Sequence, residues 1–230
     1  MATSGTATFN PQLLEIFEEV FERCGLEMRT GYDLTTARRS FNFLMADWAN
    51  RGLNTWLLDL ETLSLTDGTA TYNLTADTID VLDGSLRTNS GNASTQSDLS
   101  MNRISMTTYL QLPNKLLEGR PIQYMITRGT SVPTVTFWPI PDATGTYVFA
   151  YERLRRVEDA GTTASNTADI PFRFIPALTS GLAWSIASKR REAMALIPQL
   201  KQRYDEDLDQ AMSEDRERAS FMFVPYVGRV

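Results

Sequence analysis

The acidic residues near the C-terminus have a spacing that could bind a cation. Asp205, Asp207 and Asp209 match the first, third and fifth positions of a calcium-binding loop. The sixth position of such a loop requires glycine and the twelfth a bidentate glutamate, but this sequence has Gln210 and Arg216 there. The run also follows a helical period. We therefore expect a solvated helix face, and we predict no metal site and no cofactor.

Catalytic chemistry has few candidates, because the 230 residues include no histidine and one cysteine. The lack of imidazole removes the usual general base near neutral pH and every triad built on it. Cys24 completes the apolar stripe of the first expected helix, which favours a buried core thiol over a nucleophile. A carboxylate pair for glycoside hydrolysis stays open, since its separation is a three-dimensional property. We predict no catalytic residue.

The composition indicates a globular chain that does not wrap nucleic acid. The net charge of −6 and the pI near 4.8 argue against extensive phosphate neutralisation, and 42% hydrophobic residues suffice for a core. Arg38–Arg39 and residues 189–191 are short basic clusters, and the second is explained by cations at a helix C-terminus. No apolar run reaches membrane-spanning length, and we expect neither a membrane segment nor a secretory signal.

Helices are expected at both ends of the chain. After a flexible segment 1–9, Asn10-Pro11 can open a helix whose apolar stripe ends at Cys24. A second helix is expected from Asp33, as its cap, to about residue 50. Helical periodicity returns at Pro171 and again near residue 197, where Pro198 must lie in the first turn or kink the helix.

The middle of the chain has the period of β-strands. Leu58, Leu60, Leu63 and Leu65 alternate loosely with polar residues, and an Asp-Gly turn signal follows at 67–68. Further strands are expected at 70–74, 121–127, 132–139 and 146–155. The segment 83–102 is rich in Ser, Asn, Thr and Gly and is expected to be a mobile loop. Residues 159–169 suggest a second, shorter loop.

These elements predict an α+β protein. Two N-terminal and two C-terminal helices, from residues 10–55 and 171–219, are expected to pack as one antiparallel bundle. Residues 56–170 form an inserted antiparallel β-rich region, and an extended tail covers 220–230.

The tail is unusually apolar for a chain end, and exposed apolar segments risk aggregation unless covered. The cover is either the chain's own core or another protein, and we favour a partner whose pockets receive an extended segment. The predicted docking residues are Phe221, Met222, Phe223, Val224, Pro225, Tyr226, Val227, Arg229 and Val230.

Several short sequence motifs, taken in their order across residues 10–220, resemble those of a known protein family. The motifs are ADWANRG at 46–52 with Trp56, LTDGT at 65–69 with Tyr72, DVL at 80–82, YL at 109–110, GRP at 119–121, WPIPD at 138–142, YER at 151–153, IPFRFIPAL at 170–178 and EDRER at 214–218. Together they resemble the head-to-tail adaptor proteins of tailed bacteriophages, the group that includes tail tubular protein A of short-tailed phages.

The resemblance implies a structural role in the virion neck, after synthesis in the cytoplasm of the bacterial host. Such adaptors form a ring, usually dodecameric, that binds the portal above and the tail nozzle or tube below. DNA passes through the lumen without sequence-specific binding, and the C-terminal segment, here 221–230, reaches towards the portal. An acidic lumen suits this role, because it repels phosphate and lets DNA slide.

Two other functions remain open on the sequence alone. One is a virion-associated enzyme that degrades peptidoglycan with a carboxylate pair. The other is a different neck or tail-completion ring protein.

Overall fold

The structure is a computed structural model that describes residues 5, 7, 9–29, 31–163 and 165–215. These residues form two units: a helical unit from the parts before residue 51 and after 157, and a β-rich unit of residues 51–157. Five α-helices and eight strands, in two sheets, lie within the described residues, so the predicted α+β class is confirmed. The antiparallel order of the helices stays a prediction.

The elements follow the chain with three short 3-10 turns between them, at Thr55–Leu57, Phe172–Phe174 and Arg191–Leu196. The helices and strands are α1 (Leu13–Arg23), α2 (Gly31–Asn50), β1 (Leu58–Ser64), β2 (Thr71–Asn73), β3 (Thr78–Thr88), β4 (Ser97–Ser100), β5 (Asn102–Arg103), α3 (Met106–Leu110), β6 (Gln123–Thr127), β7 (Thr134–Trp138), β8 (Tyr147–Arg155), α4 (Ile175–Ala187) and α5 (Ile197–Glu214).

The two N-terminal helices begin at other residues than expected. Helix α1 starts at Leu13, and the residue that caps it is Gln12 instead of Asn10. The backbone N–H of Gln12 donates a hydrogen bond to Glu15 Oε2 at 3.2 Å. Helix α2 starts at Gly31, so Asp33 lies in its first turn instead of preceding it. Its carboxylate accepts a hydrogen bond from the backbone N–H of Arg29 at 3.2 Å, which still orders the entry to the helix.

Helix α4 is the centre of the helical unit, since it packs against α1, α2 and α5. Nearly all of its residues from Ala177 to Ala187 are buried. Gly181 allows the neighbouring helices to come close: a Cβ there would lie 2.8 Å from the Tyr204 ring on α5 and 3.1 Å from Leu44 on α2. Pro198 lies in the first turn of α5, as the sequence requires.

The β-rich unit contains two four-stranded sheets with orders β1-β8-β3-β4 and β2-β7-β6-β5. All pairs are antiparallel except β5 with β6. The sheets contribute to one core, in which the Phe149 ring from β8 lies 5.1 Å from Tyr124 on β6 and 5.0 Å from Phe137 on β7. The shared aromatic cluster shows that the two sheets face each other.

The expectation of a loop over 83–102 was wrong, because most of this segment is a β-hairpin. Strand β3 continues to Thr88, and β4 pairs with it from Ser97 to Ser100, leaving only residues 89–96 as the turn. A polar composition hid the hairpin: all four residues of β4 are exposed, and Leu86 on β3 alone supplies a fully buried side chain to this pairing. The backbone hydrogen bonds and the Arg87–Asp98 ion pair (2.8 Å) hold the edge strand β4 against β3.

Candidate assembly surfaces

The predicted docking residues 221–230 lie outside the described residues, which end at Asp215 on the C-terminal side. Their role therefore stays a prediction. The described part of the chain offers other surfaces that could contact partners.

The three aspartates with calcium-loop spacing lie on helix α5. Asp205 forms an ion pair with Lys201, and Asp207 forms one with Arg203 at 3.0 Å, each one turn earlier on the same helix. Among the described residues, no group of three or more His, Cys, Asp or Glu side chains could hold a metal ion. The spacing is thus that of a helix face, and two of the three aspartates form ion pairs within the helix.

Cys24 is buried, as predicted, directly after helix α1. Its thiol donates to the Ala183 carbonyl of α4 at 3.3 Å, and burial raises the pKa of the thiol above its ordinary value. A raised thiol pKa lowers the thiolate fraction, so this cysteine is a packing residue and a poor nucleophile.

A buried arginine organises the carboxylates at one end of the β-rich unit. Arg153 on β8, with 7% of its side chain exposed, contacts Glu61 at 2.9 Å, Asp77 at 2.5 Å and Asp59 at 3.4 Å. Tyr151 donates to Glu61 at 2.8 Å. These carboxylates are engaged with a guanidinium and a phenol of their own unit, which gives them a structural role.

The segment that connects β5 to β6 carries an apolar surface that was not predicted from the sequence. Helix α3 has no buried residue. Lys115 donates to the carbonyls of Leu110 and Leu112 at 3.1 and 3.2 Å, which folds the following chain back onto the end of α3. The density of leucines in this stretch is the signal that could have indicated it. Exposed apolar side chains grouped on one short segment are typical of an interaction surface. Five side chains are 43–81% exposed: Met106, Leu110, Leu116, Leu117 and Ile122.

A basic surface lies on helix α2 beside the end of α4. Lys189 donates to Ser40 Oγ at 2.7 Å, and burial together with the charge of Arg39 lowers the pKa of Lys189. Arg190 pairs with Asp33 and lies over the Tyr32 ring. Tyr32 and Phe43, on the same side of α2 as Arg39, are 68% and 66% exposed. Arg191 directly follows Arg190 in the chain and is exposed. We call Tyr32, Arg39, Phe43, Lys189 and Arg191 the basic surface.

An acidic surface lies on helix α1. Its buried stripe faces the core of the unit, and four glutamates occupy the exposed side. Only Glu19 has a cationic partner among the described residues, namely Arg23 at 2.7 Å. We call these residues, Glu15, Glu18, Glu19 and Glu22, the acidic surface.

The sequence from residue 12 to 227 matches the family model of the SU10 adaptor protein, which covers most of the chain. The chain belongs to the SU10 adaptor protein family. No match was found among curated proteins. Membership makes this adaptor a structural protein of a bacteriophage virion that contacts other virion components.

The family assignment agrees with the kinds of surface that the adaptor presents. Its charged and apolar surfaces lie on the outside of both units, where partners could cover them. No helix among the described residues is long and apolar enough to cross a membrane.

Proposed function

We propose that this adaptor forms a ring between the portal of the capsid and the tail nozzle or tube. The observation that carries the proposal is the family match over residues 12–227. The ring is dodecameric, belongs to the virion neck and is of the tail tubular protein A type. The protein is made in the cytoplasm of the bacterial host.

A ring is the natural assembly for a chain with unlike exposed surfaces. When one patch meets a different patch on the next copy through a closing rotation, no patch is left free. DNA passes through the lumen without sequence-specific binding. The net charge of −6 supports this passage, because an acidic wall repels phosphate where a basic wall would hold it.

In this proposal the C-terminal segment 221–230 is the principal portal-docking element. It contains Phe221, Phe223 and Tyr226, and Pro225 restricts the chain towards extended geometry. Burying one such apolar side chain is worth roughly 1.5–3 kcal/mol before ordering costs, and a ring multiplies the gain by its copy number.

Sedimentation with and without the portal of the same phage tests ring formation. We expect the free adaptor to be monomeric or weakly associated and to form a closed ring on the portal, visible in particle images. Identical sedimentation in both conditions would refute the proposal.

Truncation after Ser220 tests the docking segment. The shortened chain should lose portal attachment and keep the thermal midpoint of the full chain. Portal decoration by the truncated adaptor, or unfolding many degrees earlier, would show that the segment has another role.

A further inference from the structure

The basic surface contains positive charge that its own unit does not neutralise. Among the described residues, Arg39 and Arg191 have no carboxylate within ion-pair distance, whereas the neighbouring Arg190 is paired with Asp33. Lys189 donates to a hydroxyl instead of a carboxylate. The guanidinium groups of Arg39 and Arg191 therefore remain available to a partner.

The same surface has the composition of an interface centre. Tyr32, Arg39 and Phe43 follow one another at spacings of seven and four residues, so they share one side of α2 over about 16 Å. Exposed aromatic rings next to an arginine are enriched at the centres of protein interfaces, because they combine large apolar area with directional polar contacts. Against the described part of the chain, both rings stay about two-thirds exposed.

The acidic surface of α1 has the complementary charge. Glu18 and Glu22 are one turn apart, exposed, and without a cationic partner among the described residues. The acidic residues of α5 differ from those of α1, because Asp205 and Asp207 form ion pairs with Lys201 and Arg203 of their own helix. Both α1 and α2 pack on α4, and their exposed sides point away from that shared core.

We infer that the acidic surface of one adaptor subunit docks on the basic surface of the next subunit. This inference rests on the proposed ring and names the contact that closes it. A second copy is the occupant because the two complementary surfaces are unlike patches of one chain, which is what a head-to-tail ring contact requires. The charges select the partner and fix its register, and Tyr32 and Phe43 supply the buried area.

Charge reversal on each surface tests the contact. One variant carries Glu18→Arg and Glu22→Arg, and the other carries Arg39→Glu and Arg191→Glu. All four side chains are exposed, so circular dichroism and thermal melting should match the unchanged protein. A control with Asp205→Arg and Asp209→Arg makes the same charge change as the first variant, at the same spacing, on α5. Each variant is mixed with the portal, and rings are counted in particle images.

We expect each reversed variant alone to yield at least about tenfold fewer rings, because like charges then meet at every contact. The α5 control should form as many rings as the unchanged adaptor. An equimolar mixture of the two reversed variants should restore rings. When the two variants alternate around the ring, the reversed acidic surface of the first variant meets the reversed basic surface of the second. At the next contact the unchanged acidic surface of the second variant meets the unchanged basic surface of the first, so opposite charges face each other at both contacts. An even number of subunits closes the circle, and mass analysis of these rings should find both variants in equal number.

The outcomes separate this inference from the proposed function. If the unchanged adaptor forms no ring on the portal, the proposed function fails. If it forms rings and the reversed variants do so equally well, the function stands and this contact is wrong. The contact is also wrong if folded variants fail alone and the mixture does not restore rings.

Discussion

The packing around Gly181 leads to a sharp stability prediction for Gly181→Ala. A Cβ at this position would lie 2.8 and 2.9 Å from two carbons of the Tyr204 ring. Ordinary contacts between carbon atoms are about 3.5–4.0 Å, so the overlap is roughly 0.7 Å.

The Tyr204 ring has little freedom to move away. It is fully buried, its hydroxyl accepts a hydrogen bond from Trp48 Nε1 at 2.9 Å, and it stacks on Trp184 with the ring centroids 5.9 Å apart. Relieving the overlap between the added Cβ and the ring requires α5 to shift relative to α4. Overpacking costs about 1–3 kcal/mol, and a ring held this firmly places the cost in the upper part of that range, about 2–3 kcal/mol. The better helix propensity of alanine returns about 1 kcal/mol.

We expect Gly181→Ala to lower the free energy of unfolding by about 1–2 kcal/mol. Tryptophan fluorescence during urea unfolding measures this change, because Trp48 and Trp184 both contact Tyr204. Gly31→Ala is the matched control. Gly31 begins α2, and apart from its chain neighbours and the helix backbone no described residue lies within 4 Å of the added Cβ. The change should therefore stay within about 0.5 kcal/mol. If Gly181→Ala is as stable as the unchanged protein, the close approach of α4 and α5 is wrong.

Three further expectations concern buried polar and thiol groups. Arg153→Met should lower the free energy of unfolding of the β-rich unit in urea by about 2–3 kcal/mol, because it removes the cation shared by three half-buried carboxylates. Arg128 is exposed, so Arg128→Met should lower this free energy far less, and equal effects of the two variants would contradict this account. Cys24 should react with a thiol reagent only after unfolding, and rapid reaction of the folded protein would show an open site. Burial and the hydrogen bond to Glu61 raise the pKa of Tyr151, so its stabilising contribution is complete below the ordinary tyrosine pKa of about 10 and is lost as pH rises through the higher folded pKa. Tyr151→Phe should therefore leave the absorbance change of the folded protein at 295 nm between about pH 9 and 11 unaltered, and a reduced change would refute the assignment.

Elements with long and regular patterns could be predicted from the sequence. The apolar stripes of α1 and α2, the strong periodicity of β8, and Pro198 at the start of α5 all predicted their elements. The absence of histidine limited the possible chemistry through composition alone. These properties depend on local spacing or on residue content, which the sequence states directly.

The orientation of β1 depends instead on tertiary contacts. Leu58 and Leu60 alternate with Asp59 and Glu61, and a strand of this pattern could turn either set inward. In the structure Leu60 is 86% exposed, whereas Asp59 and Glu61 share the side of the sheet on which Arg153 is buried. The guanidinium that attracts them comes from β8, more than 90 residues away, and no local pattern reveals that partner.

The hairpin of β3 and β4 and the basic surface also depend on contacts between distant parts of the chain. Strand β4 has four exposed residues, so it exists through its backbone ladder with β3 and not through an apolar pattern of its own. Arg39 and Lys189 are 150 positions apart, yet the packing of α2 on α4 brings them together, and burial and then the charge of Arg39 lower the pKa of Lys189. Both charges can be read in the sequence, but their joining into one surface requires the packed helices.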